Sequence, residues 1–342
     1  MARNPGSSHS SNQAPPPGIE KTTDIPVHGM LGQSPAFNTL VESIRVQSRS
    51  NAPVLLDGET GSGKELAARA VHYLSDRHAK PFVPVNCGAI PETLLESELF
   101  GHVRGAFTDA RASRVGLVTH ADGGTLFLDE IDTLSIKGQI VLLRFLQDYR
   151  YRPIGQSGEL HSTARIIAAT NTVLEHEVRC GRFRSDLLYR LNILRLRVPP
   201  LRERGDDVLV LARHFIEMYS ARYGLPNRRL HAATRQWLQQ YDWPGNIREL
   251  ENTMHRLVLQ CEDTELRHPD AFPADDADDG FPDFHGAKAA AIAVFERTYL
   301  ARVLAEAGGN VSAAARLACT DRRALGRLLK KHGIDRTEYE IH

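Results

Sequence analysis

The sequence predicts an α/β core built on a five-stranded parallel sheet, then a small helical layer, then a separate all-helical C-terminal unit. Three observations carry this. Five short apolar runs, Val54–Leu56, Phe82–Val85, Leu126–Leu128, Ile166–Ala169 and Ile193–Val198, alternate with helical patterns between Val27 and about Asp263. Runs of this kind suit strands covered on both faces by helices. The first run leads directly into the glycine-rich stretch Gly58-Glu-Thr-Gly-Ser-Gly-Lys-Glu65 and then into a helix. After Arg202 the spacing turns helical, with apolar residues at Val208, Leu211, Phe215 and Met218.

Strand, glycine-rich loop, lysine and helix together describe a phosphate cradle. Gly58, Gly61 and Gly63 let successive backbone N–H groups, through Glu59, Thr60 and Ser62, turn toward one anion. The following helix adds its partial positive charge, and Lys64 reaches the β/γ-phosphates. Glu65 stands where a Ser or Thr usually holds Mg²⁺.

In parallel sheets of this class, ligands bind beyond the carboxyl ends of the strands. Asn86 follows the second run, Asp129-Glu130 the third and Thr170-Asn171 the fourth. Asp129 suits orientation of a metal and Glu130 polarisation of an attacking water, although two acids also suit a strand that ends in solvent. Asn171 fits either a contact to the γ-phosphate or water, or an ordinary turn. Arg184 and Arg190, six residues apart, are either fingers for a neighbouring subunit's nucleotide or a solvated helix face.

The 342 residues leave room for two or three domains, and the 42% apolar content suits a sizeable core. Formal net charge is zero, so any nucleic-acid surface must be local. Cys87, Cys180, Cys261 and Cys319 are scattered without a CxxC pair, which points to a reduced, cytoplasmic protein rather than a zinc site. No apolar run reaches membrane-spanning length, and the N-terminus lacks a signal-peptide core. Residues 1–27, rich in Ser, Pro, Asn and Gly, read as a disordered tail too short for a sensory domain.

Later in the chain, Trp243-Pro-Gly-Asn-Ile-Arg-Glu-Leu250 opens a helix, with Asn246 as N-cap and Glu249 completing a capping box. Residues 201–262 therefore read as a helical lid, and the acidic, Pro-containing stretch 263–286 as a linker. Residues 287–342 form the third unit. An apolar stripe at Ile292, Phe295, Tyr299, Val303 and Leu304 describes one helix. Asn310 caps a second, Ala318-Cys-Thr320 turns, and Asp321 caps a third that ends before Gly333. Two short helices joined by a tight turn describe a helix-turn-helix, with Arg322 and Arg323 at base edges and Arg327, Lys330 and Lys331 near phosphates. A basic helix in a dimerisation bundle has the same pattern.

Six segments together resemble the central domain of bacterial sigma-54-dependent transcriptional activators, the enhancer-binding AAA+ ATPases. They are Gly58–Glu65, Glu98–Thr108, Gly123–Glu130, Phe183–Leu191, Pro199–Arg204 and Trp243–Leu250. The resemblance covers residues 28–262 in unbroken motif order, and Glu65 is usual in that family. It implies ATP as substrate and Mg²⁺ as its metal. It places nucleotide contacts at Gly58–Glu65, at Arg248 (sensor II), and along Ala121, Asp122, Gly123, Gly124, Thr125, Leu126, Phe127 and Leu128 into Asp129 and Glu130. Asn86 would restrain Glu130 as a switch, Thr170 and Asn171 would form sensor I, and Arg184 and Arg190 would act in trans. Fingers in trans imply a homo-oligomeric ring, typically a hexamer. The tail resembles a Fis-type DNA-binding domain, with upstream DNA as its partner, although Cys319 and Ala324 replace the usual Gly and Thr.

The resemblance also assigns Gly105, Ala106, Phe107, Thr108, Asp109 and Ala110 to the loop that contacts sigma-54 RNA polymerase. From the residues alone, Phe107 is either buried in the core or presented to a partner. Asp109 replaces a Gly of the family pattern, which restricts the loop backbone and adds a negative charge beside the contact residues. A second reading follows from Asp109: a DNA-binding regulator acting as a repressor or independently of sigma-54. No receiver domain precedes Val27, so activity is expected to be constitutive or set in trans by a regulatory protein.

Overall fold

In the computed structural model, the described residues are 29–107, 110–226, 228–261, 263–272, 284–318, 320–332 and 334. The reading of residues 1–27 as a disordered tail therefore lies outside them.

The first helix, α1 (Pro35–Ser48), is started by Ser34, whose side chain accepts from the Phe37 amide, with Pro35 in the first turn. It leads to β1 (Val54–Asp57), the glycine loop, α2 (Lys64–Tyr73) and β2 (Phe82–Asn86). Next come α3 (Leu95–Phe100), the short hairpin β3 (Gly101–His102) and β4 (Arg114–Val115), α4 (Leu117–His120) and β5 (Thr125–Asp129). The core continues through α5 (Ile136–Asp148), a second hairpin β6 (Arg150–Tyr151) and β7 (Leu160–His161), and β8 (Arg165–Thr170). It closes with α6 (Leu174–Arg179), α7 (Ser185–Leu191) and β9 (Leu194–Arg197).

The five main strands form one parallel sheet in the order β2-β5-β8-β1-β9. All five expected runs are strands of this sheet. Side chains alternate between its faces, as strand geometry requires. Leu126, Leu128, Ile166 and Ala168 join Phe145, Leu142 and Leu187 on one face. Phe127, Ile167 and Ala169 join Ile44, Ala67 and Val71 on the other. Burial of each large aliphatic side chain contributes about 1.5–3 kcal/mol, so the central strands anchor both layers. Register then sets the functional edge: Asn86 pairs with Asp129, and Asp57 pairs with Thr170.

The lid packs α8 (Asp207–Tyr223), α9 (Ala232–Gln240) and α10 (Asn246–Gln260) around Trp243, whose indole N–H donates to the Leu238 carbonyl at 2.9 Å. Short parallel strands β10 (Arg229–Leu230) and β11 (Glu265–Leu266) extend this unit past residue 262, and chain contacts place the boundary after Phe272. The linker expected from 263 therefore starts later, and residues 273–283 lie outside the described ones.

The second unit contains α11 (Phe284–Glu306), α12 (Val311–Leu317) and α13 (Arg322–Lys331). Asn310 and Asp321 cap α12 and α13 as expected, each accepting two backbone N–H bonds. Its core is Leu300, Val303, Leu304, Ala314, Ala315, Leu325 and Leu329. The expected stripe is corrected in part: Ile292 and Tyr299 are exposed, and Leu300 takes the buried position.

Candidate functional site

The glycine loop leaves β1 at Gly58 and feeds α2 at Lys64. Gly61 (φ +75°) and Gly63 (φ +100°) hold left-handed backbone that an L side chain resists. Gly61 is also required by space, because a Cβ there would lie 2.3 Å from the Gly245 carbonyl of the lid. Lys64 is buried, and its ammonium donates to the Gly58 and Glu59 carbonyls at 2.8 and 3.1 Å. Burial pushes its pKa down, while Asp129, Asp132 and Glu130 pull it back up. The Ser62 hydroxyl is buried with no hydrogen-bond partner. A buried cation, an orphaned hydroxyl and two left-handed glycines fit a bound phosphate chain. Glu65 pairs with Arg69 one turn on, at 2.7 Å.

Asp129 ends β5 half-buried, and burial raises its pKa first, with the Glu130 amide and Lys64 opposing. Its Oδ1 accepts the Glu130 N–H at 3.0 Å. Glu130 then takes a left-handed backbone (φ 53°), costing about 1–2 kcal/mol, which marks a constrained functional position. Asn86 and Glu130 both approach Gly88: a Cβ there would lie 2.9 Å from Glu130 Oε2 and 3.3 Å from Asn86 Oδ1. Among the described residues Asn86 does not bond Glu130, and its Oδ1 accepts the Ala89 N–H instead. Thr170 donates to Asp132 at 2.8 Å, and Asn171 donates to the Thr60 hydroxyl of the glycine loop at 3.3 Å. Among the described residues no three acids, histidines or cysteines form a metal cage. Asp129 with Glu130 fits a Mg²⁺ held by few carboxylates together with substrate phosphates.

The lid touches the loop directly. Asn246 is fully buried in a left-handed conformation (φ 53°). It corrects the sequence expectation, because its side chain does not cap α10. Its Oδ1 accepts the Leu201 N–H at 2.8 Å, and its Nδ2 donates to Glu59 Oε2 and the Thr60 carbonyl, each at 3.1 Å. Glu249 alone caps the helix start, accepting the Gly245 N–H. Arg202 grips the same Glu59 with two hydrogen bonds. These partners hold the Glu59 carboxyl down at about 2, with Arg202 the largest cause. Arg248 stands beside this contact, its Cβ 3.2 Å from where a Gly61 side chain would begin.

A second feature leaves the core between β3 and β4. Gly105 and Ala110 close a small loop through a 2.8 Å N–H to carbonyl bond, with Gly105 left-handed. Phe107 is 38% exposed and leans on His102, with ring centroids 4.9 Å apart. The turn between β6 and β7 braces the loop base through Val103 N–H to the Ile154 carbonyl at 3.0 Å. Gly155 packs so closely that a Cβ would lie 2.9 Å from Ala106. Thr108 and Asp109 lie outside the described residues.

Comparison with known proteins agrees with this layout. Residues 30–197 match the family described as Sigma-54 interaction domain, and residues 202–279 match the AAA+ ATPase lid domain. The chain is 44% identical over 318 residues to the anaerobic nitric oxide reductase transcription regulator NorR of Escherichia coli O17:K52:H18 (strain UMN026 / ExPEC). That match covers 89% of this chain and 63% of the relative, and NorR of Shigella flexneri matches to the same extent. The chain thus spans less than two thirds of these curated relatives. The crystal structure of NtrX from Brucella abortus in complex with ATP is 33% identical with a TM-score of 0.66, covering 89% of this chain and 69% of that one. The chain belongs to the sigma-54 interaction domain family of AAA+ ATPases.

Within this AAA+ frame, not every expected residue reaches the nucleotide edge. Ala121, Asp122, Gly123 and Gly124 lie at the amino end of β5, about five residues or 16 Å from its carboxyl end. Asp122 there binds Thr163, and Thr125 faces His72. Leu126, Phe127 and Leu128 are core residues. The first four lead into β5, and Thr125–Leu128 form the strand that delivers Asp129 and Glu130. Arg184 pairs with Asp186 at 2.7 Å, and Arg190 is exposed on α7. On α13, Arg322, Arg323, Arg327 and Lys330 are exposed, while Lys331 is paired with Glu296 at 2.9 Å. Sequence reasoning missed Asp132, Arg202 and the crossing role of Asn246. The adjacency of Arg202 to Pro199-Pro-Leu201, where the sheet gives way to the lid, was the available signal for its contact with Glu59.

Proposed function

We propose that the chain is a sigma-54-dependent transcriptional activator. It binds upstream DNA through the 287–342 unit, assembles as a homo-hexameric ring and hydrolyses ATP to remodel sigma-54 RNA polymerase into an open promoter complex. The observation that carries this reading is the meeting of Lys64, Asp129, Glu130 and Asn171 at one sheet edge, in a domain that also holds the half-exposed Phe107 on a braced loop.

In this reading Lys64 and the backbone N–H groups of residues 58–64 bind the β/γ-phosphates. Asp129, with help from Glu130, would hold Mg²⁺, which supplies charge neutralisation on the phosphate oxygens. Glu130 takes the proton of the attacking water on its carboxylate, and its constrained backbone keeps that carboxylate at the edge. Asn171 orients the γ-phosphate or the water, and Thr170, tied to Asp132, holds that turn. Asn86 restrains Glu130 across Gly88 in one nucleotide state. Arg248 reads the phosphates from the lid. Arg184 and Arg190 of one subunit neutralise charge on the next subunit's nucleotide, which requires Arg184 to exchange Asp186 for phosphate. Loop 105–110, Thr108 and Asp109 included, then meets sigma-54 differently in each nucleotide state, as coupling demands. Arg322 and Arg323 face base edges, and Arg327 and Lys330 face phosphates, joined by Lys331 if it leaves Glu296.

The test is transcription with purified components. Open complexes should form only with sigma-54 polymerase and hydrolysable ATP, and should vanish with Lys64→Ala or Glu130→Ala. Open-complex formation without sigma-54, or undiminished by both substitutions, would overturn the proposal.

A further inference from the structure

The lid carries a cleft with no part in the nucleotide site. It is lined by Leu209, Arg213, Ile216 and Glu217 of α8, by Arg228 with Arg229 and Leu230 of β10, and by Arg235 of α9. Its volume is about 330 Å³. Four arginines and one glutamate therefore line the cleft.

Their pairing is unusual for so dense a group of like charges. Arg213, Arg229 and Arg235 are exposed, and none takes part in an ion pair or side-chain hydrogen bond among the described residues. Arg228 is 8% exposed. Its Nη1 donates to the Val258 carbonyl at 2.7 Å and to the Cys261 carbonyl at the end of α10. Its Nε is buried with no partner. Like charges gathered in one cleft repel, and the buried Arg228 is fixed in its wall by the helix-end carbonyls. The repulsion is removed by one kind of ligand: an oxyanion with several acceptor oxygens, since Arg forks match phosphate oxygens in pairs. The cleft is wide enough for more than one phosphate. Leu209, Ile216 and Leu230 add an apolar wall beside the charges.

We propose that this lid cleft binds a ligand carrying a diphosphate group. Arg213, Arg229 and Arg235 hold the phosphates, and Arg228 adds its charge from the wall. The lid contacts the glycine loop through Asn246, so occupancy of the cleft can bias the lid without entering the ATP site.

The test uses the full chain with its nucleotide site first saturated with ADP. Pyrophosphate and guanosine diphosphate are then titrated separately by calorimetry, against wild type and against the double variant Arg213→Ser/Arg235→Ser. Both substituted residues are exposed and make no structural bond, so the fold is expected to survive, whereas Arg228→Ala would strip two helix-end carbonyls of their donor. Wild type should bind, and the double variant should bind about tenfold or more weakly, a loss of at least about 1.4 kcal/mol, because two charge-assisted partners are removed. Pyrophosphate binding alone identifies the diphosphate as the whole ligand, and tighter guanosine diphosphate binding adds the apolar wall to the site. Equal binding by wild type and variant, or no binding to ADP-saturated wild type, overturns the proposal.

Discussion

The carboxamide of Asn246 joins two elements 187 residues apart: its Nδ2 lies 3.1 Å from Oε2 of Glu59 in the glycine loop. Its other atom, Oδ1, accepts the buried Leu201 N–H where the lid begins. One side chain thus ties the phosphate cradle, the lid entry and the start of α10. Asn246→Ala leaves the Leu201 N–H unsatisfied and releases Glu59 from one partner. The expected loss is about 1–3 kcal/mol of stability, read as a lower urea midpoint, together with weaker ADP binding. An unchanged midpoint would show that the tie carries no energy.

Glu59 makes the same contact sensitive to acid. Arg202 and Asn246 hold its carboxyl at about 2 instead of the usual carboxylate range near 4.5. A depressed folded-state pKa gives stability that is present above about pH 4.5 and is lost as pH falls toward 2. Wild type should therefore be more stable than Glu59→Gln at neutral pH. The gap should close through that acid window, measured by denaturant unfolding at stepped pH. A gap independent of pH would assign the effect to shape, not charge.

Lys64 and Glu130 should separate binding from turnover. Lys64→Ala removes the buried ammonium from the cradle and should abolish detectable ATP binding. Glu130→Gln keeps the side-chain shape but cannot take a proton, so ATP binding should stay within a few-fold while turnover falls about 10²–10⁴-fold. Equilibrium binding of a fluorescent ATP analogue beside steady-state hydrolysis distinguishes the two. Equal losses in both assays for Glu130→Gln would point to a structural role.

The sheet was legible because each strand is a compact apolar run closed by a polar residue, and parallel register then brings Asn86, Asp129 and Thr170 to one edge. Asn246 was misread for a physical reason. An Asn three residues before a Glu reads as an N-cap, and only the left-handed backbone turns its amide away from its own helix toward Glu59. The family resemblance extends the nucleotide contacts back along Ala121–Leu128, but it does not show the strand geometry between them and Asp129. A strand carries such neighbours away at about 3.3 Å per residue. The turn around Ile154 and Gly155 that braces the exposed loop was also not visible, since β6 and β7 have two residues each and show no alternation.

Arg204 and Asp207 form the deepest ion pair of the lid, 3% and 1% exposed, with Nε to Oδ2 at 2.9 Å. Asp207 also accepts from the Gln33 and Ser34 amides and the Ser34 hydroxyl, so it fastens the chain before α1 to the start of α8. Gly32 is obligatory there, because a Cβ would lie 2.6 Å from Arg204, Asp207 and Phe37 alike. Asp207→Ala strands a buried guanidinium and three donors, and should cost about 3–5 kcal/mol. A melting temperature within a degree of wild type would contradict this.

Phe107 should be the reverse case, important to the partner and nearly silent in the fold. The residue is 38% exposed, and its aromatic neighbour is His102. The loop itself is closed by backbone bonds, Gly105 to Ala110 and Ala110 to Phe107, which a side-chain truncation leaves in place. Phe107→Ala is therefore expected to lower stability by less than about 1 kcal/mol, since a half-exposed ring gives up only part of its burial. ATP hydrolysis should continue at near the wild-type rate, because Lys64, Asp129 and Glu130 lie at the sheet edge on other segments. Binding to sigma-54 in the presence of a transition-state nucleotide analogue should disappear, and with it open-complex formation. Retained sigma-54 binding by Phe107→Ala would move the partner contact off this loop, whereas a parallel loss of hydrolysis would show that the ring also supports the ATPase core.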